Sequence, residues 1–94
     1  MYKFLITIKL KPGSLETVRE AAMPCQVATR AEPGCLSYDF YVSIDDPDAM
    51  VFVERFKSKE DHAWHSDQPY VKEFLAIFRP LAIETKFETI NIAD

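Results

Sequence analysis

Cys35-Leu36-Ser37-Tyr38-Asp39-Phe40-Tyr41-Val42-Ser43 is followed, after Asp45-Asp46-Pro47-Asp48, by Met50-Val51-Phe52-Val53-Glu54-Arg55-Phe56-Lys57. In the first run Leu36, Tyr38, Phe40 and Val42 alternate with Ser37, Asp39 and Tyr41, the period of a strand with one buried face. The second run has the same character, rich in Val and Phe. The aspartates between them can bond their own backbone and favour a turn, so the stretch predicts an antiparallel hairpin with its second strand over Met50–Lys57.

On the N-terminal side, Tyr2, Phe4, Ile6, Ile8 and Leu10 alternate with Lys3, Thr7, Lys9 and Lys11, another strand, stopped at Pro12-Gly13. Ser14 stands as an N-cap for a helix carrying Leu15, Val18, Ala22 and Cys25 at helical spacing. Pro24 falls inside it and predicts a kink or break, because proline lacks the amide donor and crowds the preceding turn. Pro33-Gly34 is expected to end it, with glycine in the left-handed conformation. On the C-terminal side, Ser58-Lys59-Glu60-Asp61 has the spacing of a helix N-terminal capping box, and that helix bears His62, Trp64 and His65. Pro69 opens a second helical segment with Val71, Phe74, Leu75 and Phe78 as its apolar stripe; Pro80 ends it, and Leu81–Ile92 reads as a last strand. The order is strand, helix, strand, strand, helix, strand. This is α+β, a ferredoxin-like βαββαβ unit whose four-stranded antiparallel sheet carries its helices on one face.

Such helices leave the other sheet face to Leu5, Tyr41, Val51, Val53 and Ile90. An open apolar face predicts a homodimer with sheets packed face to face. The 94 residues make one domain over 1–94, with 48% apolar and 28% charged residues, a globular composition. The net charge of −4 and the lack of any Lys/Arg cluster longer than two residues give a nucleic-acid partner no footprint. No stretch of about 18 apolar residues exists to cross a membrane. The alternating N-terminus reads as a strand and not a secretory signal, and two cysteines outside any Cys-x-x-Cys pair make no disulfide framework, so a cytoplasmic protein is expected.

Glu32-Pro33-Gly34-Cys35-Leu36, Tyr38-Asp39-Phe40-Tyr41, Phe52-Val53-Glu54-Arg55-Phe56, and His65 followed by Tyr70 together resemble the antibiotic-biosynthesis monooxygenase family. The resemblance implies a dimeric α+β barrel of ferredoxin-like subunits. It also implies a cofactor-independent monooxygenase that takes a small aromatic or quinone-like substrate and molecular oxygen. His65 matches the family's helix histidine and Glu54 its strand glutamate. Tyr70 stands where many relatives have a second histidine, and Trp64 and Tyr70 resemble pocket residues of the polyketide-oxidising branch. The haem-degrading branch has an Asn in its first strand; Lys3–Lys11 has none.

Imidazole titrates near neutrality, so His65 can ionise a phenol as general base; the alternative is a capping histidine near a helix C-terminus. Glu54 shares a face with Met50, Phe52 and Phe56, where a carboxylate must be paired or raised in pKa. It is thus a site acid/base, or the structural partner of Arg79 or of a second subunit. Tyr70 orients the substrate or anchors its helix. Trp64, Tyr41, Phe52, Phe74 and Phe78 line a substrate pocket or are plain core. His62 and His65 at i, i+3 lack a third well-placed ligand, and no metal or cofactor is expected. Isomerisation of a small phosphorylated sugar, or non-catalytic ligand binding by a dimeric module, remain open on the same fold.

Overall fold

The computed structural model describes residues 1–92. It runs β1 (Tyr2–Leu10), α1 (Leu15–Arg30), β2 (Cys35–Ser43), β3 (Asp46–Phe56), α2 (Lys59–Ser66), α3 (Pro69–Phe78), a 3₁₀ turn (Arg79–Leu81) and β4 (Ala82–Asn91). The strands form one antiparallel sheet in the order β2-β3-β1-β4. The βαββαβ expectation holds, with the second helix divided where Pro69 sits at the start of α3.

Register arranges the inner face in rows. Phe87, Ile6, Phe52 and Phe40 lie abreast, and Thr89, Phe4, Glu54 and Tyr38 form the next row. Ile8, Leu10, Phe52 and Phe56 are buried there against Val18, Ala22 and Cys25 of α1 and Val71, Phe74 and Phe78 of α3. Helical spacing aims each of these side chains at the sheet, as the periodicity required. Among the described residues no helix is long and apolar enough to cross a membrane.

Several local expectations are corrected. Ser14 occupies the N-cap of α1 but makes no side-chain capping bond, because its backbone (φ −89°, ψ −9°) is already helical and not extended. Pro24 does not split α1, which continues to Arg30. Pro24 and Glu20 are both solvent-exposed, so water can take the place of the missing amide at the Glu20 carbonyl. Gly34 is not left-handed; among the described residues the one positive φ belongs to Gly13 (φ 78°), and α1 closes with the Ala31 N–H donating to the Ala28 carbonyl and the Glu32 N–H to the Thr29 carbonyl. The hairpin turn is Ile44-Asp45, and β3 begins at Asp46 instead of Met50. Leu36 is 52% exposed, since a bulge between Cys35 and Ser37 turns it off the inner face. The Ser58 cap does form: its hydroxyl oxygen accepts from the Asp61 amide at 3.1 Å.

Candidate active site

Glu54 projects from the inner face of β3 between Phe52 and Phe56 and is buried. The Ser58 cap starts α2 two residues beyond β3 and carries the helix back over that strand, with His62 and His65 one turn apart. His65 is buried, its ring 5.0 Å from that of Phe56 and 5.2 Å from that of Tyr38. The His62 ring lies tilted against that of Phe4, with centroids 4.5 Å apart. The Nε2 atoms of both histidines lie 3.7 Å from the same Glu54 oxygen, Oε1. That distance is too long for a hydrogen bond, so two ring nitrogens and a carboxyl oxygen converge without satisfying one another.

On its far side His65 places Nδ1 2.9 Å from Oε2 of Glu32, in the loop after α1. The Tyr70 hydroxyl donates a short hydrogen bond to the same oxygen. Glu32 is itself buried, and its Oε1 has no hydrogen-bond partner among the described residues.

Burial, reinforced by the nearby Glu32 charge, pushes the Glu54 carboxyl up to about 8. Burial, with His65 alongside, lowers His62 to about 4. Near pH 7 Glu54 is therefore a neutral acid able to donate, and His62 a neutral imidazole. Burial followed by the bond to Glu32 raises the Tyr70 phenol, and burial raises the Cys25 thiol and takes Cys35 up to about 11. Both cysteines are free and resist ionisation.

Glu54, His62 and His65 floor a cavity of about 490 Å³ between the sheet and α2–α3. Its walls are rings and aliphatic carbon, from Phe4, Phe52, Phe74, Phe78 and Phe87 with Ile6 and Leu75. Ser66, Arg79 and Thr85 add polar atoms. Among the described residues no group of His, Cys, Asp or Glu is placed to hold a metal ion.

Of the residues singled out in the sequence, His65, Glu54, Phe52, Phe74 and Phe78 meet at this cavity. Three do not line it. Tyr41 is 56% exposed on the opposite sheet face, since it pairs with Val51, one residue out of phase with the inward Phe52. Trp64 is 53% exposed, a position before His65 on α2 and so turned outward. Tyr70 spends its hydroxyl on Glu32. Among the described residues no ion pair joins Glu54 to Arg79; the histidines face Glu54 instead. Sequence reading missed Glu32, whose only signal was its place in Glu-Pro-Gly, and considered His62 solely as a metal ligand.

The family described as Antibiotic biosynthesis monooxygenase matches residues 1–77. An uncharacterised protein of Synechocystis is 31% identical over 68 residues, 72% of this chain and 46% of its own. The chain thus spans about half the length of that curated relative. A solved protein of Nitrosomonas europaea superposes with a TM-score of 0.92 at 24% identity, covering 97% of each chain. The crystal structure of an antibiotic biosynthesis monooxygenase gives 0.90 at 21% over the whole of both chains. A protein of Mycobacterium tuberculosis gives 0.88 at 24%, over 99% of this chain and 95% of that one. At such identities these likenesses establish the fold.

Proposed function

The chain belongs to the antibiotic biosynthesis monooxygenase family, and on that premise we propose that it is a cofactor-independent monooxygenase of a small phenol or quinol. The observation that carries this reading is the convergence of His62 Nε2, His65 Nε2 and Glu54 Oε1 at the floor of a cavity walled by aromatic rings. A flat ring fills such walls, and its hydroxyl meets the three polar atoms.

His65 takes the hydroxyl proton as general base, because a phenolate passes an electron to oxygen far more readily than the phenol does. Glu54, neutral below pH about 8, donates a hydrogen bond to the oxygen that has become anionic. A ring carbon conjugated with that oxygen loses its hydrogen and gains one atom of O₂. The hydroxyl becomes a carbonyl, and the second oxygen atom leaves as water. A phenol and O₂ thereby give a quinone and water, with the substrate supplying every electron. The apolar walls keep bulk water from the intermediates.

The chain works as a homodimer, in this reading, through the sheet face of Leu5, Val51 and Val53, which the helices leave uncovered and where Tyr41 and Ile90 are exposed. It acts in the cytoplasm, where two free thiols stay reduced. A phosphorylated sugar has less to hold it, since among the described residues Arg79 is the one permanently cationic side chain of the lining.

Oxygen uptake with a panel of phenols and quinols tests the proposal. A substrate whose oxidation drops about 10²-fold or more in His65→Ala supports it. Uptake equally fast in the variant, or a flavin or haem band in the purified protein, refutes it.

A further inference from the structure

Glu32-Pro33-Gly34 carries part of the family resemblance, yet the chemistry above makes no use of it. Glu32 sits 33 residues before His65 and is buried beside it. Its position is fixed from both sides. The Glu32 N–H donates to the Thr29 carbonyl at 3.0 Å, and the Glu32 carbonyl accepts from Cys35 at 3.1 Å. One residue past Pro33, the Gly34 carbonyl accepts from Lys57 at 2.9 Å. Gly34 also lets α2 come close: a Cβ there would lie 2.5 Å from Cγ of Asp61, the residue whose amide the Ser58 cap holds. The loop and the helix bearing His65 are thus locked together through the missing glycine side chain.

We infer that Glu32 is the positioning residue of the site: through Oε2 it holds His65 in the tautomer protonated on Nδ1, leaving Nε2 as a bare lone pair toward the cavity, while Tyr70 steadies Glu32 and does not touch the ligand. The inference rests on the reading of His65 as the base, which it deepens. Oε2 has two lone pairs and two neighbours, the Tyr70 hydroxyl and His65 Nδ1. A carboxylate oxygen only accepts, so with Oε2 taking the Tyr70 hydroxyl on one side the proton between it and the imidazole belongs to Nδ1. Which ring nitrogen carries a histidine's proton is set by the hydrogen bond that the other makes. A base is useful only if its free nitrogen faces the reacting group, and Nε2 is the nitrogen on the Glu54 and cavity side. The groups that face His65 are Glu32 from the loop, Glu54 from β3, His62 from α2 and Tyr38 from β2, with Tyr70 of α3 acting through Glu32.

The test reads the tautomer directly, by long-range ¹H–¹⁵N correlation of the imidazoles in the ¹⁵N-labelled full chain. Wild type is expected to show His65 protonated on Nδ1 and not on Nε2. Glu32→Gln, whose amide oxygen still accepts, keeps that pattern; Glu32→Leu, which removes the acceptor, loses it. With a phenol that the enzyme oxidises, Glu32→Leu lowers kcat about 10²-fold with KM nearly unchanged, and Glu32→Gln restores much of the loss. A wild-type His65 protonated on Nε2 overturns the inference, and so does an unaltered tautomer in Glu32→Leu. The wild-type spectrum decides even if Glu32→Leu fails to fold. If no phenol is oxidised while the tautomer behaves as stated, the monooxygenase reading falls and the role of Glu32 stands.

Discussion

Glu54 is a carboxyl buried on a sheet face between two phenylalanines. Its ionisation couples to folding. From pH 4.5 to about 8 the folded protein keeps a proton on Glu54 that the unfolded chain has released, so stability falls as pH rises. His62 works in the opposite sense between about 4 and 6.5, where the unfolded chain binds a proton that the buried ring refuses. Above pH 6.5 the His62 effect has ended and the Glu54 effect continues, and one proton is worth about 1.4 kcal/mol per pH unit, or about 2 kcal/mol between pH 6.5 and 8. Urea unfolding at those two pH values should show the loss in wild type and little of it in Glu54→Gln. Activity should decline above pH about 8 for the related reason that an ionised Glu54 repels the phenolate, and Glu54→Gln should remove that decline. The carboxylate at this position was legible in the sequence as an acid on an apolar face; its partners were not. The sequence offered Arg79, and folding supplied two histidines.

At the scale of elements, the helix ends and the close approaches decide where the site groups stand. Gly34→Ala puts a Cβ against the Asp61 side chain, so either the Ser58–Asp61 cap or the loop must move. We expect a loss of about 1–3 kcal/mol in chemical denaturation, together with a shifted His65 imidazole resonance. Pro24 gives the reverse case. It interrupts the bonding of an otherwise regular, solvent-facing stretch of α1, so Pro24→Ala restores a donor to the Glu20 carbonyl and is expected to raise stability by about 1–3 kcal/mol. No change or a loss in the thermal midpoint would show that the proline instead shapes the helix for its packing. The strands and both segments of the second helix were readable because two-residue and 3.6-residue periods leave a mark on composition. The bulge at Leu36 and the turn at Ile44-Asp45 were not, because both depend on how β2 pairs with β3.

For the whole molecule, both long helices lie on one face of the sheet and β4 forms an edge whose Ile83, Phe87 and Ile90 are exposed. Val53 stands at the middle of the uncovered face, flanked by Leu5 on β1 and Asp39 on β2. Val53→Asp should turn a dimer in sedimentation velocity into a monomer, and a wild-type chain that sediments as a monomer would remove the dimer from the proposal. Glu32, Glu54, His62, His65 and Tyr70 all come from one chain. The Val53→Asp monomer should therefore keep the wild-type imidazole spectrum.

The alternation of apolar residues, the capping box at Ser58 and the Glu-Pro-Gly segment determined the order of elements, the inward faces and the family resemblance, because each is a relation between residues close in the chain. Tertiary structure alone decided which polar groups stand together at the site. Glu32, Glu54 and His65 are brought together by sheet register, by a glycine without a side chain and by the angle of α2 over β3. Sequence spacing carries no record of such distances, which is why Glu32 was not read as a neighbour of His65 and His62 was considered only as a metal ligand.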